Sequence, residues 1–131
     1  QIVVAVSRNR AKQPLFTVEE RLEMLREVVK PYYNVIVDAY DGLTVNYARS
    51  MGAQAIIRGL RAISDFENEF MMALTNKKLA PGIETVFLMT RAECSFISSS
   101  AVKEVAFFCG CVKDMVPPLV EEMLKKKFGR K

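Results

Sequence analysis

The sequence predicts an α/β fold: a doubly wound parallel sheet with helices on both faces. Three observations predict it. Short β-branched runs alternate with helix-length amphipathic segments along the chain. The runs at 2–6 and 55–57 show no polar alternation, the pattern of strands buried on both faces. The chain has 131 residues, 50% hydrophobic and 26% charged, enough for one domain, residues 1–131, and one core.

The first strand is the run Ile2-Val3-Val4-Ala5-Val6. A polar loop follows from 7 to 16. Thr17 with Glu20 three residues later forms a capping box, and Leu22, Leu25, Val28 and Val29 give the helix that follows its inward stripe up to Pro31. Residues 34–37 read as a second strand. Asp41-Gly42 makes a turn, and a short helix over 43–51 closes at Gly52. Ala55-Ile56-Ile57 is a third strand, leading into a turn at 58–61. A long helix over 64–79 stops at Pro81-Gly82, and 85–89 is a fourth strand. Ser98 opens a helix to about 108. Pro117 and Pro118 start a last helix, where proline is tolerated, and a basic tail ends it.

Composition removes several classes. There are no histidines, so the commonest general base and metal ligand are both missing. Cys94, Cys109 and Cys111 match neither a disulfide framework nor a zinc pattern, which points to a reducing, cytoplasmic setting. No apolar run could span a bilayer and no secretory signal is legible, so no membrane role is expected. The net charge of +4 suits a phosphate-bearing ligand. The lysine-rich tail reads as favourable charge at a helix C-terminus, so no nucleic-acid partner is expected.

In a sheet of this kind, ligands bind beyond the carboxyl ends of the strands. Three segments lie there. The loop after the first strand carries Arg8, Arg10 and Lys12, either a solvated charge run or an electropositive lip. The turn after the third strand carries Arg58 and Arg61 around Gly59. Two arginines so spaced either grip one anion or pair with Asp65, Glu67 or Glu69. The segment Ser95-Phe96-Ile97-Ser98-Ser99-Ser100 opens a helix, whose first amides either bind phosphate or are simply capped. Together the three make an anion trap without a nucleophile of its own. Such a site works by positioning and charge neutralisation, as in phosphoryl and nucleotidyl transfer.

The segments Lys12-Gln13-Pro14-Leu15-Phe16-Thr17, Ile57-Arg58-Gly59-Leu60-Arg61-Ala62, Asp65-Phe66-Glu67-Asn68-Glu69 and Ser95-Phe96-Ile97-Ser98-Ser99-Ser100-Ala101-Val102-Lys103-Glu104 resemble those of the phosphopantetheine adenylyltransferases. The resemblance runs in order along the whole chain. It implies a Rossmann-like nucleotidyltransferase fold and transfer of AMP from ATP to 4′-phosphopantetheine, giving dephospho-coenzyme A and pyrophosphate. It implies Mg²⁺ as cofactor, a homo-hexamer, and coenzyme A as feedback inhibitor. By position, it assigns catalysis to Lys12, Arg58 and Arg61. It assigns the acceptor to Lys12, Leu43, Thr44 and Arg58. ATP falls to Gly59, Leu60, Arg61, Glu69, Cys94, Ser95, Phe96, Ile97, Ser98, Ser99 and Ser100.

Two departures accompany the resemblance. The family pattern opens with a strand and Gly-x-Phe-Asp-Pro-x-Thr-x-Gly-His, and neither stands in this sequence. The expectation is therefore a sequence that starts late relative to the family, with strands one and three lacking a shared neighbour. The 131 residues alone are then expected to be close to inactive. Cys94 also stands where many members carry an aromatic residue beside the adenine. The alternatives are another nucleotidyltransferase, such as one acting on nicotinate mononucleotide, or a non-catalytic nucleotide- or coenzyme-A-binding fragment.

Overall fold

The computed structural model describes residues 1–8 and 14–129, with the backbone alone at 63 and 64. Arg10 and Lys12 lie outside the described residues. Four strands and five α-helices alternate: β1 (Ile2–Ser7), α1 (Val18–Val29), β2 (Val35–Tyr40), α2 (Thr44–Ser50), β3 (Ala55–Leu60), α3 (Ile63–Leu79), β4 (Glu84–Met89), α4 (Ser99–Phe107) and α5 (Pro118–Lys127). A 3₁₀ turn, Ala92–Cys94, precedes α4. The α/β expectation holds, and every predicted helix and strand is present.

The chain forms two parallel strand pairs, each closed by its own crossover helix. β1 pairs with β2 from Ile2↔Val35 to Ser7↔Tyr40, and α1 packs on both. β3 pairs with β4 from Ala55↔Glu84 to Leu60↔Met89, and α3 packs on both. β1 and β3 are not hydrogen-bonded to each other, as expected of strands with no common neighbour. The expectation of strands buried on both faces is corrected. Within the strands only Val6 and Leu60 are buried, while Ile57 and Leu88 are more than half exposed. A two-stranded pair has a helix on one face only, and each strand keeps one free edge.

A second correction concerns β3. The segment Arg58-Gly59-Leu60 reads as a turn, yet it belongs to the strand, in register with Phe87, Leu88 and Met89. Gly59 shows no left-handed backbone, and a Cβ there would meet Thr90 Oγ1 only at 4.0 Å.

The core has two centres. In one, Val45 and Ala48 of α2 pack with Ala80 and Ile83 beyond α3. In the other, Val102 and Ala106 of α4 pack with Val112 and with Leu124 of α5. Leu15, Phe16 and Ile97 lie against this second centre, so the segments that lead into α1 and α4 are both seated on it.

Helix α1 starts as the sequence predicts. Thr17 Oγ1 accepts the Glu20 amide at 3.1 Å, and Glu20 Oε2 accepts the Thr17 amide at 2.7 Å. Lys127, at the end of α5, bonds Glu20 Oε1 at 2.9 Å and lies 5.6 Å from the centre of the Phe16 ring. Lys125 and Lys126 pair with Glu121 and Glu122 one turn back. Lys125, Lys126 and Lys127 are thus each paired within the molecule, besides standing at a helix C-terminus as the sequence predicts. No helix among the described residues is long and apolar enough to cross a membrane.

Four carboxyls among the described residues are held below their ordinary range, Glu122 among them through the Lys126 ammonium. The Lys127 ammonium and then the Thr17 amide lower Glu20. The Ala39 amide and then the Tyr47 hydroxyl lower Asp38, and the Arg61 guanidinium lowers Asp65. A group whose folded value is depressed stabilises the fold above its unfolded value and loses that contribution as pH falls through the folded one. The unfolded values are 4.5 for Glu and 3.8 for Asp. Urea midpoints should therefore hold level above roughly pH 5 and fall progressively below it, with Glu20→Gln reducing the slope. A midpoint that rises on acidification would contradict these contacts.

Candidate active site

Helix α3 packs on strand β3 so that two arginines reach carboxylates about one turn apart in the first two turns of the helix. Arg58 crosses from β3 to Glu69, with Nε donating to Oε2 at 2.7 Å and Nη2 to Oε1 at 2.5 Å. This is the fork-on-fork geometry that guanidinium and carboxylate favour. The Glu69 bonds push the Arg58 guanidinium further up. Arg61, one residue beyond β3, makes a second fork on Asp65, Nε to Oδ2 at 2.9 Å and Nη2 to Oδ1 at 3.2 Å. The Arg61 backbone amide also points at Asp65, 3.3 Å from Oδ2.

The fork leaves Arg61 Nη1 free of Asp65, and its use decides the geometry. Nη1 reaches across to the carbonyl oxygen of Ile97, at 2.7 Å. Ile97 directly precedes Ser98, the N-cap of α4, whose Oγ accepts the Ala101 amide at 3.1 Å. The first amides of a helix have no partner within it, so those of Ser99 and Ser100 face outward from the start of α4. A guanidinium and a helix N-terminus are thereby brought to one place, although 36 residues separate Arg61 from Ile97. Both elements favour negative charge there.

The other residues of this segment take distinct positions. Cys94 is half-buried in the 3₁₀ turn, and Ser95 Oγ bonds back to the Ala92 carbonyl at 2.8 Å. Phe96 is 65% exposed beside the Arg61–Ile97 bond. Leu60 is buried, so only its backbone can meet a ligand.

Arg58 stays apart from the serine segment. With Glu69 it lines a small cavity of about 20 Å³ that also touches Thr44 and Thr85. An adjoining groove of about 560 Å³ runs past Thr44 and Leu43 to Asp41, Arg8 and Ser7 at the ends of β1 and β2. Thr44, Met72 and Asn76 line both hollows. Met72 and Asn76 were missed in the sequence. The signal for them is the helical stripe that continues from Glu69 at three- and four-residue steps. Two compartments result: Arg61 with the serine helix start just beyond β3, and Arg58, within β3, with the small cavity and the groove that runs to the carboxyl ends of β1 and β2. Lys12 cannot be placed against either, since it lies outside the described residues.

A cytidylyltransferase-like family model matches residues 1–105, which span every strand and both compartments. The phosphopantetheine adenylyltransferase of Carboxydothermus hydrogenoformans is 64% identical over 130 residues, covering 99% of this chain and 80% of that protein. That of Desulforudis audaxviator is 67% identical over 129 residues, covering 98% of this chain and 79% of its own length. That of Dictyoglomus thermophilum is 53% identical over all 131 residues. The chain belongs to the phosphopantetheine adenylyltransferase family. Membership covers the Arg-Gly-Leu-Arg and Ser-Phe-Ile-Ser-Ser-Ser segments together, because the matches run nearly end to end. What the structure adds to the phosphopantetheine adenylyltransferase assignment is the bond that joins those two segments.

Proposed function

We propose that this chain transfers the adenylyl group of ATP to 4′-phosphopantetheine. An oxygen of the acceptor phosphate attacks the α-phosphorus of ATP. The new P–O bond forms as the bond to the bridging oxygen breaks, and that electron pair leaves on pyrophosphate, giving dephospho-coenzyme A. No protein nucleophile is required, which suits a site built around two arginines, the serine segment and the first amides of α4.

The single observation that carries this reading is Arg61 Nη1 on the Ile97 carbonyl, which sets a fixed cation beside the start of α4. In the proposal Arg61, the backbone at Gly59 and Leu60, and the segment Cys94 to Ser100 hold the ATP phosphates, with Glu69 at the border of the nucleotide. Ser99 and Ser100 offer amides and hydroxyls to the β- and γ-phosphates. Charge that builds on the leaving pyrophosphate then meets donors already in place. Arg58, with Lys12, holds the acceptor phosphate, while Leu43 and Thr44 line the groove for its arm. Binding must then draw Arg58 partly away from Glu69, so part of the phosphate's binding energy goes into that exchange.

Mg²⁺ belongs to the proposal as an ion carried on the triphosphate. Among the described residues no three Cys, Asp or Glu side chains gather as a metal cage. Asp65 and Glu69, the carboxylates nearest the arginines, are each occupied by a guanidinium. That donor set fits an ion held mainly by phosphate oxygens and water, with the serine hydroxyls as the oxygens this chain would add. When bound, it neutralises phosphate charge.

The proposal extends to coenzyme A competing for the same groove through its shared pantetheine arm, to a homo-hexamer, and to a cytoplasmic setting. Apolar residues exposed on α3, among them Met71 and Leu74, supply surface for contacts between copies. Incubation with ATP and either 4′-phosphopantetheine or nicotinate mononucleotide, followed by pyrophosphate release, tests the reaction. Release with the first acceptor alone is expected, at a low rate, since these 131 residues carry no Thr-x-Gly-His motif. Calorimetric binding of both substrates with no release would reduce the chain to a binding fragment.

A further inference from the structure

Between β2 and α2 lies a polar strap that neither the family segments nor the anion trap includes. Asp38 and Tyr40 stand two apart on β2, and Thr44 and Tyr47 stand three apart on α2, so each pair shares one face of its element. Asp38 Oδ1 accepts the Ala39 amide at 2.8 Å, and its Oδ2 accepts the Tyr47 hydroxyl at 2.9 Å. The Tyr47 ring stacks on that of Tyr40, with centroids 4.6 Å apart and planes within 13°. The Tyr40 hydroxyl shares a hydrogen bond of 2.8 Å with Thr44 Oγ1. Burial and the Asp38 carboxylate push Tyr47 up to about 12, so it stays protonated and keeps donating.

The strap ends on one of the residues that both hollows share. Thr44 is the first residue of α2, and its side chain lines the small cavity beside Arg58 and the larger groove alike. A free threonine hydroxyl in the first turn of a helix samples more than one rotamer and is solvated in each. The bond to Tyr40 removes that freedom, and Tyr40 is itself held by the stack on an anchored Tyr47. One bond to Tyr40 leaves the Thr44 hydroxyl with capacity for another partner, as donor or acceptor.

We propose that Tyr40, braced by Tyr47 and Asp38, is a positioning residue that holds the Thr44 hydroxyl ready for the polar groups of the acceptor's arm. The ligand chemistry is an extended chain carrying amide or hydroxyl groups, which can use a hydroxyl in either sense. The inference deepens the function proposed above and rests on it. It assigns to Tyr40 an effect on the acceptor and none on ATP. A strap that merely joined β2 to α2 would instead lower stability and leave both affinities alone, or weaken both together.

The test is calorimetric titration of the protein with 4′-phosphopantetheine and, separately, with ATP. Tyr40→Phe removes one oxygen and keeps the stack. It should weaken the acceptor about 3- to 10-fold, the range of one neutral hydrogen bond, and leave ATP unchanged. Thr44→Val should show the same selectivity. The double variant should be no worse than the weaker single one, because both remove the same element. Thr44→Ser, which keeps the hydroxyl, should retain acceptor binding. Unchanged acceptor affinity in Tyr40→Phe, equal losses for the two ligands, or additive losses in the double variant would overturn the inference. Wild-type protein that binds ATP but not the acceptor would instead overturn the function on which it rests.

Discussion

Arg61→Ala should lower kcat/KM for ATP-dependent adenylyl transfer by about 10²- to 10³-fold, the usual loss when one preorganised donor to developing charge is removed. Two effects combine. The substitution deletes the cation placed beside the start of α4, and it deletes the bond from Nη1 to the Ile97 carbonyl that keeps the serine segment beside β3. It also leaves Asp65 without its fork, so a negative charge remains where phosphate should enter. Arg61→Lys tells the effects apart. Lysine keeps the charge but cannot span Asp65 and Ile97 at once, so it should recover only a minor part of the rate. Steady-state kinetics of pyrophosphate release gives the measurement, with thermal melting alongside. The side chain is partly exposed, so the melting temperature should move little. A variant with wild-type kinetics would remove Arg61 from the site.

Leu124→Ala should cost about 2–5 kcal/mol of folding stability, the range for truncating a buried leucine to alanine. Leu124 is 3% exposed and packs in the centre formed by Val102 and Ala106 of α4 and by Val112. The neighbours are seated on two helices joined by a loop, so the void can close only if α5 shifts. The consequence reaches the site, because Ile97 lies against the same centre. Loosening there relaxes the carbonyl that Arg61 grips. Urea unfolding should show a lower midpoint with an unchanged slope, and ATP affinity should fall at temperatures where the variant is still folded. An unchanged midpoint would mean that α5 does not hold the second core.

The sequence made most of the fold legible, for reasons that particular residues show. Thr17 and Glu20 fix the start of α1 because a capping box is a local interaction, complete within four residues. Gly52 ends the region of α2 with a φ of 65°, which the absence of a Cβ permits. What was not legible depends on partners distant in sequence. Arg58 and Gly59 look like turn residues, but the β4 backbone opposite them makes them strand. The β-branched run of β1 looks doubly buried, but burial depends on what covers each face, and one helix covers one face. In the site, the two arginines and the serine segment could be named from their chemistry. The arginines' pairing with Glu69 and Asp65 could only be narrowed to a choice, because spacing does not say which carboxylate a guanidinium reaches, and the bond to the Ile97 carbonyl was not foreseen. The Asp38–Tyr47 and Tyr40–Thr44 bonds were invisible in the sequence, since they join side chains across a turn whose shape no single residue dictates.

The contact between Lys127 and Glu20 spans 107 residues. Helix α1 leaves the ribosome more than a hundred residues ahead of this clasp. Until that lysine emerges, the opening turn of α1 is secured only by its own capping box, and the Phe16 ring lacks the cation above it. An ammonium group made late thus fastens a helix made well before it, so this clasp is a long-range contact that forms after the local capping box.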